Sequence, residues 1–181
     1  MRIFLLTVAL LIATSYSASA QFLRADIGVN GLTCSMCAKG TEASLRQLSF
    51  IDSIDIDLND LVAHITFKKD VAVSIDQVKD MVEDAGFSVR SIDAMFQFDN
   101  VAIAKDTHFA FGGDTYHFVG VSDKKLAGPV HLRFIDKPYV SKREFNELAK
   151  KTNFQCYKKG KSESCCEGDH AAQGHLYHVT L

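Results

Sequence analysis

Cys34-Ser35-Met36-Cys37 is the first stretch of the chain whose side chains could do chemistry. Two thiols three positions apart can turn their sulfurs to one point from a loop. Residues 38–48 follow without a Pro, and they place Ala38, Leu45 and Leu48 on one helical side. Cys37 therefore stands at a helix start, where free N–H groups and the positive dipole end favour thiolate. Thiolates select soft ions such as Cu(I). Zn(II) prefers four ligands, and this loop offers two. An open dithiolate suits a two-coordinate soft ion that can leave by exchange onto another thiol pair. The spacing alone leaves two rival uses, a thiol-disulfide redox pair and a structural disulfide.

Two further groups carry thiol or imidazole. Cys156, Cys165, Cys166, His170, His175 and His178 fall within 23 residues. That is enough for a second metal site. The plainer reading is one disulfide from Cys156 to Cys165 or Cys166, with the His residues on the surface. His108, His117 and His131 lie in strand contexts, and they meet only if the strands bring them together. The chain holds five Cys, an odd number, so at least one is free, metal-bound or paired between chains.

The elements around the first pair alternate. Residues 25–29 suit a strand. Ile54, Ile56 and Leu58 alternate with Ser53, Asp55 and Asp57. Asn59-Asp60 is a turn, and residues 61–67 return as the second arm of a hairpin. Ser74 is an N-cap, Ile75, Val78, Val82 and Ala85 recur at helical spacing, and Gly86 closes that helix. Residues 87–92 form a last strand. The order is β-α-β-β-α-β, the ferredoxin-like pattern.

Residues 31–37 read Gly-Leu-Thr-Cys-Ser-Met-Cys. This resembles the G-M-T-C-x-x-C loop of heavy-metal-associated domains, the family of copper chaperones, metal-ATPase N-terminal domains and periplasmic mercury-binding proteins. Ala85-Gly86-Phe87 is similar to the A-G-[FY] segment after the second helix of that family. The resemblance covers about residues 24–92. It implies Cys34 and Cys37 as metal ligands, Phe87 as a shield beside the loop, and an exposed Met36, which reads as a plain loop residue with a weak extra thioether ligand as the sharper alternative. Leu32 stands where the family carries Met, in a position that supports the loop from the core. That swap keeps volume and costs less than about 1.5 kcal/mol. The resemblance also implies Cu(I) as cargo, with Hg(II) or another soft metal ion as the alternative, and a metal-donor or acceptor protein as partner.

Residues 1–20 carry an address. Met1-Arg2 supplies a positive start, eleven residues from Ile3 to Ala13 are apolar except Thr7, and Ala18-Ser19-Ala20 ends the segment. This is a secretory signal peptide with cleavage expected before Gln21. Eleven apolar residues fall short of the about 20 that span a bilayer. A periplasmic or secreted protein with no membrane segment after cleavage is the expectation.

Residues 93–181 form a second unit, with the boundary near residues 91–96. Residues 107–111 and 115–121 read as a hairpin around Gly112-Gly113-Asp114, and residues 130–135 as another strand. Ser141-Lys142-Arg143-Glu144 is a capping box that opens a short helix. Residues 153–157 and 175–181 read as final strands, and residues 158–174 as a loop. The whole is thus α+β, a ferredoxin-like domain over 21–92 followed by a small β-rich domain with one helix.

Composition narrows the function. Of 181 residues, 47% are hydrophobic and 23% charged, which suits a globular chain and not a disordered one. A formal charge of −2 argues against a nucleic-acid binder. The acidic run Asp52, Asp55, Asp57 and Asp60 reads as a solvated strand edge, with a docking surface for a basic partner as the sharper alternative. No nucleophile turn and no phosphate-cradling Gly loop is present, so no enzyme is expected. A thioredoxin-like oxidoreductase would need a downstream cis-Pro, and the first Pro is Pro129. The expectation is an exported Cu(I) carrier or scavenger. The rivals are a Hg(II) binder, a thiol-disulfide oxidoreductase, and a binding module that its cysteines only staple.

Overall fold

The structure is a computed structural model that describes residues 20–159 and 174–181. The expected leader, Ala20 aside, lies outside the described residues, as do Cys165, Cys166 and His170. The first half follows the expected order. Strand β1 spans Ala20–Asn30 and helix α1 spans Ser35–Leu45. Strands β2 (Ile51–Asp57) and β3 (Val62–Phe67) form the hairpin. Helix α2 covers Ile75–Asp84 behind the Ser74 cap, whose hydroxyl accepts from the Gln77 N–H. Gly86 ends it at φ +89°, a left-handed conformation that glycine adopts without steric cost. At the hairpin tip, the Asp57 carboxylate accepts from the backbone N–H groups of Asn59 and Asp60. These bonds hold its pKa below the usual carboxylate range.

Strand β4 departs from expectation. It runs from Ser88 to Ile103, through the place where the domain boundary was expected. Its buried positions change parity, because Val89 and Ile92 are three apart while Ile92, Ala94, Phe96 and Phe98 are two apart. The pairing shows why. Gly28 opposes Ser91 and Val29 opposes Val89, so Arg90 is an extra residue in a bulge. Gly28 makes room for it, since a Cβ there would lie 2.3 Å from the Ser91 Oγ.

The second half adds β5 (His108–Phe111), β6 (Asp114–Phe118), β7 (Lys124–Phe134) and β8 (Leu176–Thr180). Helix α3 spans Lys142–Leu148, with the Ser141 hydroxyl accepting from the Glu144 N–H as the capping box predicts. Residues 153–157 were expected as a strand. Instead Gln155–Lys159 is a one-turn helix, α4, after the Thr152 hydroxyl accepts from the Phe154 N–H. Five residues that alternate are too few to separate the two periods.

All eight strands make one sheet in the order β2-β3-β1-β4-β7-β8-β6-β5. A separately folded second unit is therefore not what this sheet describes. Helices α1 and α2 cover one face of the first half. On the same face an aromatic cluster joins the halves: Phe22 lies 4.1 Å from Phe96 and 6.4 Å from Tyr116, and Tyr116 stacks on Tyr177 at 5.6 Å between ring centroids. Alternation sends Val119 and Ile135 to the opposite face, where they pack with Leu148 and Tyr157 under α3 and α4. Pro129 is tolerated in β7 because the β8 pairing begins only at Arg133.

A sheet and core shared this way predict one cooperative unfolding transition for both halves. Phe96→Ala should cost about 3–5 kcal/mol, as for other buried Phe truncations. Urea unfolding followed by far- and near-ultraviolet circular dichroism checks both. Two separated transitions would contradict the shared core.

Candidate metal centre

Asn30 ends β1, and Gly31 turns the chain at φ +88°. The Phe87 ring closes over that turn, 3.3 Å from where a Gly31 Cβ would sit. Leu32 is fully buried and anchors the loop in the core, as expected of this position. Thr33, Cys34 and Ser35 are then exposed, and Cys37 is half-buried. Met36 is 76% exposed.

Cys34 is the N-cap of α1. Its sulfur accepts from the Cys37 N–H at 3.2 Å, and its carbonyl accepts from the Ala38 N–H at 3.0 Å. The two sulfurs are joined as a disulfide, with the Cα atoms 5.1 Å apart. The loop therefore brings both sulfurs to one point, which is the geometric requirement the spacing raised. The first turn of α1 carries no acidic side chain. In the reduced form, the Cys37 N–H and the helix dipole favour negative sulfur, and no neighbouring carboxylate in that turn opposes it. Behind the site, the Thr41 hydroxyl donates to the Cys37 carbonyl at 3.1 Å, and the Ser44 hydroxyl donates to the Met81 carbonyl at 2.7 Å. The second bond fixes α1 against α2.

The acidic residues Asp52 and Asp55 lie exposed on β2, the outer strand of the sheet. Charges there discourage pairing with another strand edge.

The second-half residues sort differently from the groupings in the sequence. His108 and His117 are direct cross-strand partners, with rings stacked at 4.4 Å. His131 is exposed on β7 opposite Met95 and does not join them. His178 does, through the parallel register of β6 and β8, with its ring 5.2 Å from that of His117. Cys156, on α4, places its sulfur 3.7 Å from His117 Nδ1. His175 points elsewhere and pairs with Asp76 of α2 at 2.9 Å. The signal that could have found the real group is parity. Tyr116 and Tyr177 face the aromatic core, so His117 and His178 must share the other face.

Burial lowers the pKa of His117 to about 3, and lowers that of His108 as well, with the neighbouring imidazoles adding to the effect. Both rings are then neutral in the native state at pH values where the unfolded chain protonates them. Below pH about 6.5 the unfolded state binds more protons, so stability falls with acidification until the native groups titrate. In the presence of chelator, thermal melts should fall from pH 7 toward pH 4. His108→Gln should flatten that slope, and an unchanged slope would contradict the assignment.

Residues 27–88 match the family described as "Heavy-metal-associated domain". The chain is 30% identical over 64 residues to a copper chaperone CopZ of Staphylococcus haemolyticus, covering 35% of this chain and 93% of that one. It is 32% identical over 60 residues to a copper-transporting ATPase of Helicobacter pylori, covering 33% of this chain and 8% of that one. Among solved structures, a yeast copper transporter domain described in apo and Cu(I)-loaded states is 30% identical, with a TM-score of 0.34 over 37% of this chain and 90% of its own.

Proposed function

We propose that this chain, which belongs to the heavy-metal-associated domain family through residues 27–88, is an exported carrier of a soft metal ion, Cu(I) before others. The observation that carries the reading is the convergence of the Cys34 and Cys37 sulfurs on an exposed helix N-terminus. When the pair is reduced, the two sulfurs offer a Cu(I) ion two soft ligands and leave its other side open. A thiol from an acceptor protein can enter as a third ligand, and the ion passes on without ever being free.

Phe87 and Leu32 make this work by holding the loop from below, so that little ordering is needed when the ion binds. The similar chaperone and ATPase sequences support a donor or acceptor that itself carries a thiol pair. Export is read from the leader pattern of residues 1–20. In an oxidising compartment the pair needs reduction before loading, and bound metal then protects it.

Anaerobic Cu(I) titration of the reduced chain against a chromogenic chelator tests the proposal. One tight equivalent is expected, and it should vanish in the Cys34→Ser/Cys37→Ser variant. Competition with Hg(II) ranks the two ions. Failure to bind Cu(I), with turnover of a disulfide substrate in its place, would return the pair to redox duty.

A further inference from the structure

The far side of the sheet holds a second set of ligands with different chemistry. His108 on β5, His117 on β6 and Cys156 on α4 each offer one ligand atom, and these atoms lie within 4.8 Å of one another. Sulfur and His117 Nδ1 are 3.7 Å apart. Around a tetrahedral zinc ion, bonds of about 2.3 Å to sulfur and about 2.0 Å to nitrogen set those atoms about 3.5 Å apart.

The surroundings leave polar atoms unexplained. His117 and Cys156 are fully buried. Among the described residues, His108 Nε2, His117 Nε2 and Asp106 Oδ1 are buried without a hydrogen-bond partner. Asp106 Oδ1 comes within 3.4 Å of His117 Nε2, too poorly aligned to bond. Buried polar atoms normally find partners. With a metal on His117 Nδ1, the Nε2 of that ring carries the proton and faces Asp106, and His108 Nε2 is the orphan that a metal can take. Phe154 packs edge-on against the His108 and His117 rings, and Tyr157 against the neighbouring His178.

We propose that His108, His117 and Cys156 form a second metal site for a borderline divalent ion of the zinc class. The donor set argues for that class. Hard cations such as Mg²⁺ and Ca²⁺ require oxygen ligands. A two-coordinate soft ion is already served by the exposed cysteine pair, whereas two imidazoles and one thiolate suit zinc. The fourth position is left to water, and Asp106 stands by the far ring nitrogen of His117, Nε2, where a carboxylate can orient the ligating imidazole. Neutral imidazoles present free lone pairs, and binding displaces one proton, from the Cys156 thiol. The bound ion ties α4 to the β5–β6 hairpin, at the outer end of the sheet.

The test uses the full chain carrying Cys34→Ser/Cys37→Ser, reduced and stripped of metal. Co(II) is the probe, because it takes zinc-type sites and reports a thiolate ligand by a near-ultraviolet charge-transfer band. One equivalent is expected to bind with that band, to be displaced by Zn(II), and to raise the melting temperature. His108→Gln should weaken Co(II) at least about ten-fold, and Cys156→Ala should abolish the band. His117→Gln is buried and could unfold, so the partly exposed His108 and the small Cys156→Ala change decide the matter, with circular dichroism as the check on folding. No tight equivalent would overturn the site. Equal binding in the His108 and Cys156 variants would overturn it too, by placing the ion on other residues. Neither result bears on the Cys34–Cys37 reading, since that pair is absent from the protein titrated.

Discussion

Strand β4 makes backbone hydrogen bonds along both edges, to β1 over Ser88–Phe98 and to β7 over Asp93–Ile103. Its side chains meet the same demand, because Ala94, Phe96 and Phe98 are buried from both halves at once. A strand in that position cannot shift by one residue without turning Phe96 toward solvent. Its register against β1 shifts at the Arg90 bulge, which sits at the metal-loop end of the strand, and again at Leu23 of β1, and its register against β7 shifts between Phe98 and Val101. Arg90 also donates to the Asp60 carbonyl at 2.6 Å, which ties the bulge to the β2–β3 hairpin tip. The first half is thus built on a strand whose second part belongs to the rest of the molecule.

The same strand sets the site. Phe87 precedes it directly, and the short link from Gly86 aims its ring at Gly31. Leu32 drops into the core beside it. The cysteine loop therefore rests on two apolar contacts that the sheet positions, while the sulfurs remain at the surface. This division suits a carrier, because rigidity lies below the ion and access lies above it. A buried site of the same ligands would bind but could not hand over.

Much of the first half could be read from its pattern, and the reasons are local. Ser74 and Gly86 mark the ends of α2 by chemistry that acts within a few residues. The Ile54-Ile56 alternation needs only one strand and one core. The Cys34–Cys37 pair shows itself because its ligands are close in sequence. Strand β4 was cut short because the Arg90 bulge breaks the period, although Ala94, Phe96 and Phe98 resume it at once. Residues 153–157 misled because a run that short fits either period. The His residues were grouped by sequence distance, whereas β5–β6 and β6–β8 pairing sorts them by register. No local signal states that His178 lies beside His117, since residues 119–175 separate two strands that the sheet makes neighbours.

The two cysteine-bearing groups differ most in their access to water, and that difference assigns their roles. Cys34 is exposed and Cys37 half-buried, so an incoming thiol can reach the ion from the Cys34 side and exchange can proceed through a three-coordinate intermediate. Cys156 and His117 are fully buried, so an ion there leaves only when the region opens locally. Ligand count points the same way. Two thiolates hold a soft ion tightly yet leave a vacant side, whereas three protein ligands fill all but one corner of a tetrahedron. On these grounds the exposed pair is suited to moving an ion and the buried group to keeping one. The shared sheet then has a consequence for function. An ion that secures the β5–β6 hairpin steadies the aromatic core through Phe109 and Tyr116, and that core includes the Phe96 side of β4. The carrier loop and the retained ion would then depend on one another through packing alone, with no ligand in common.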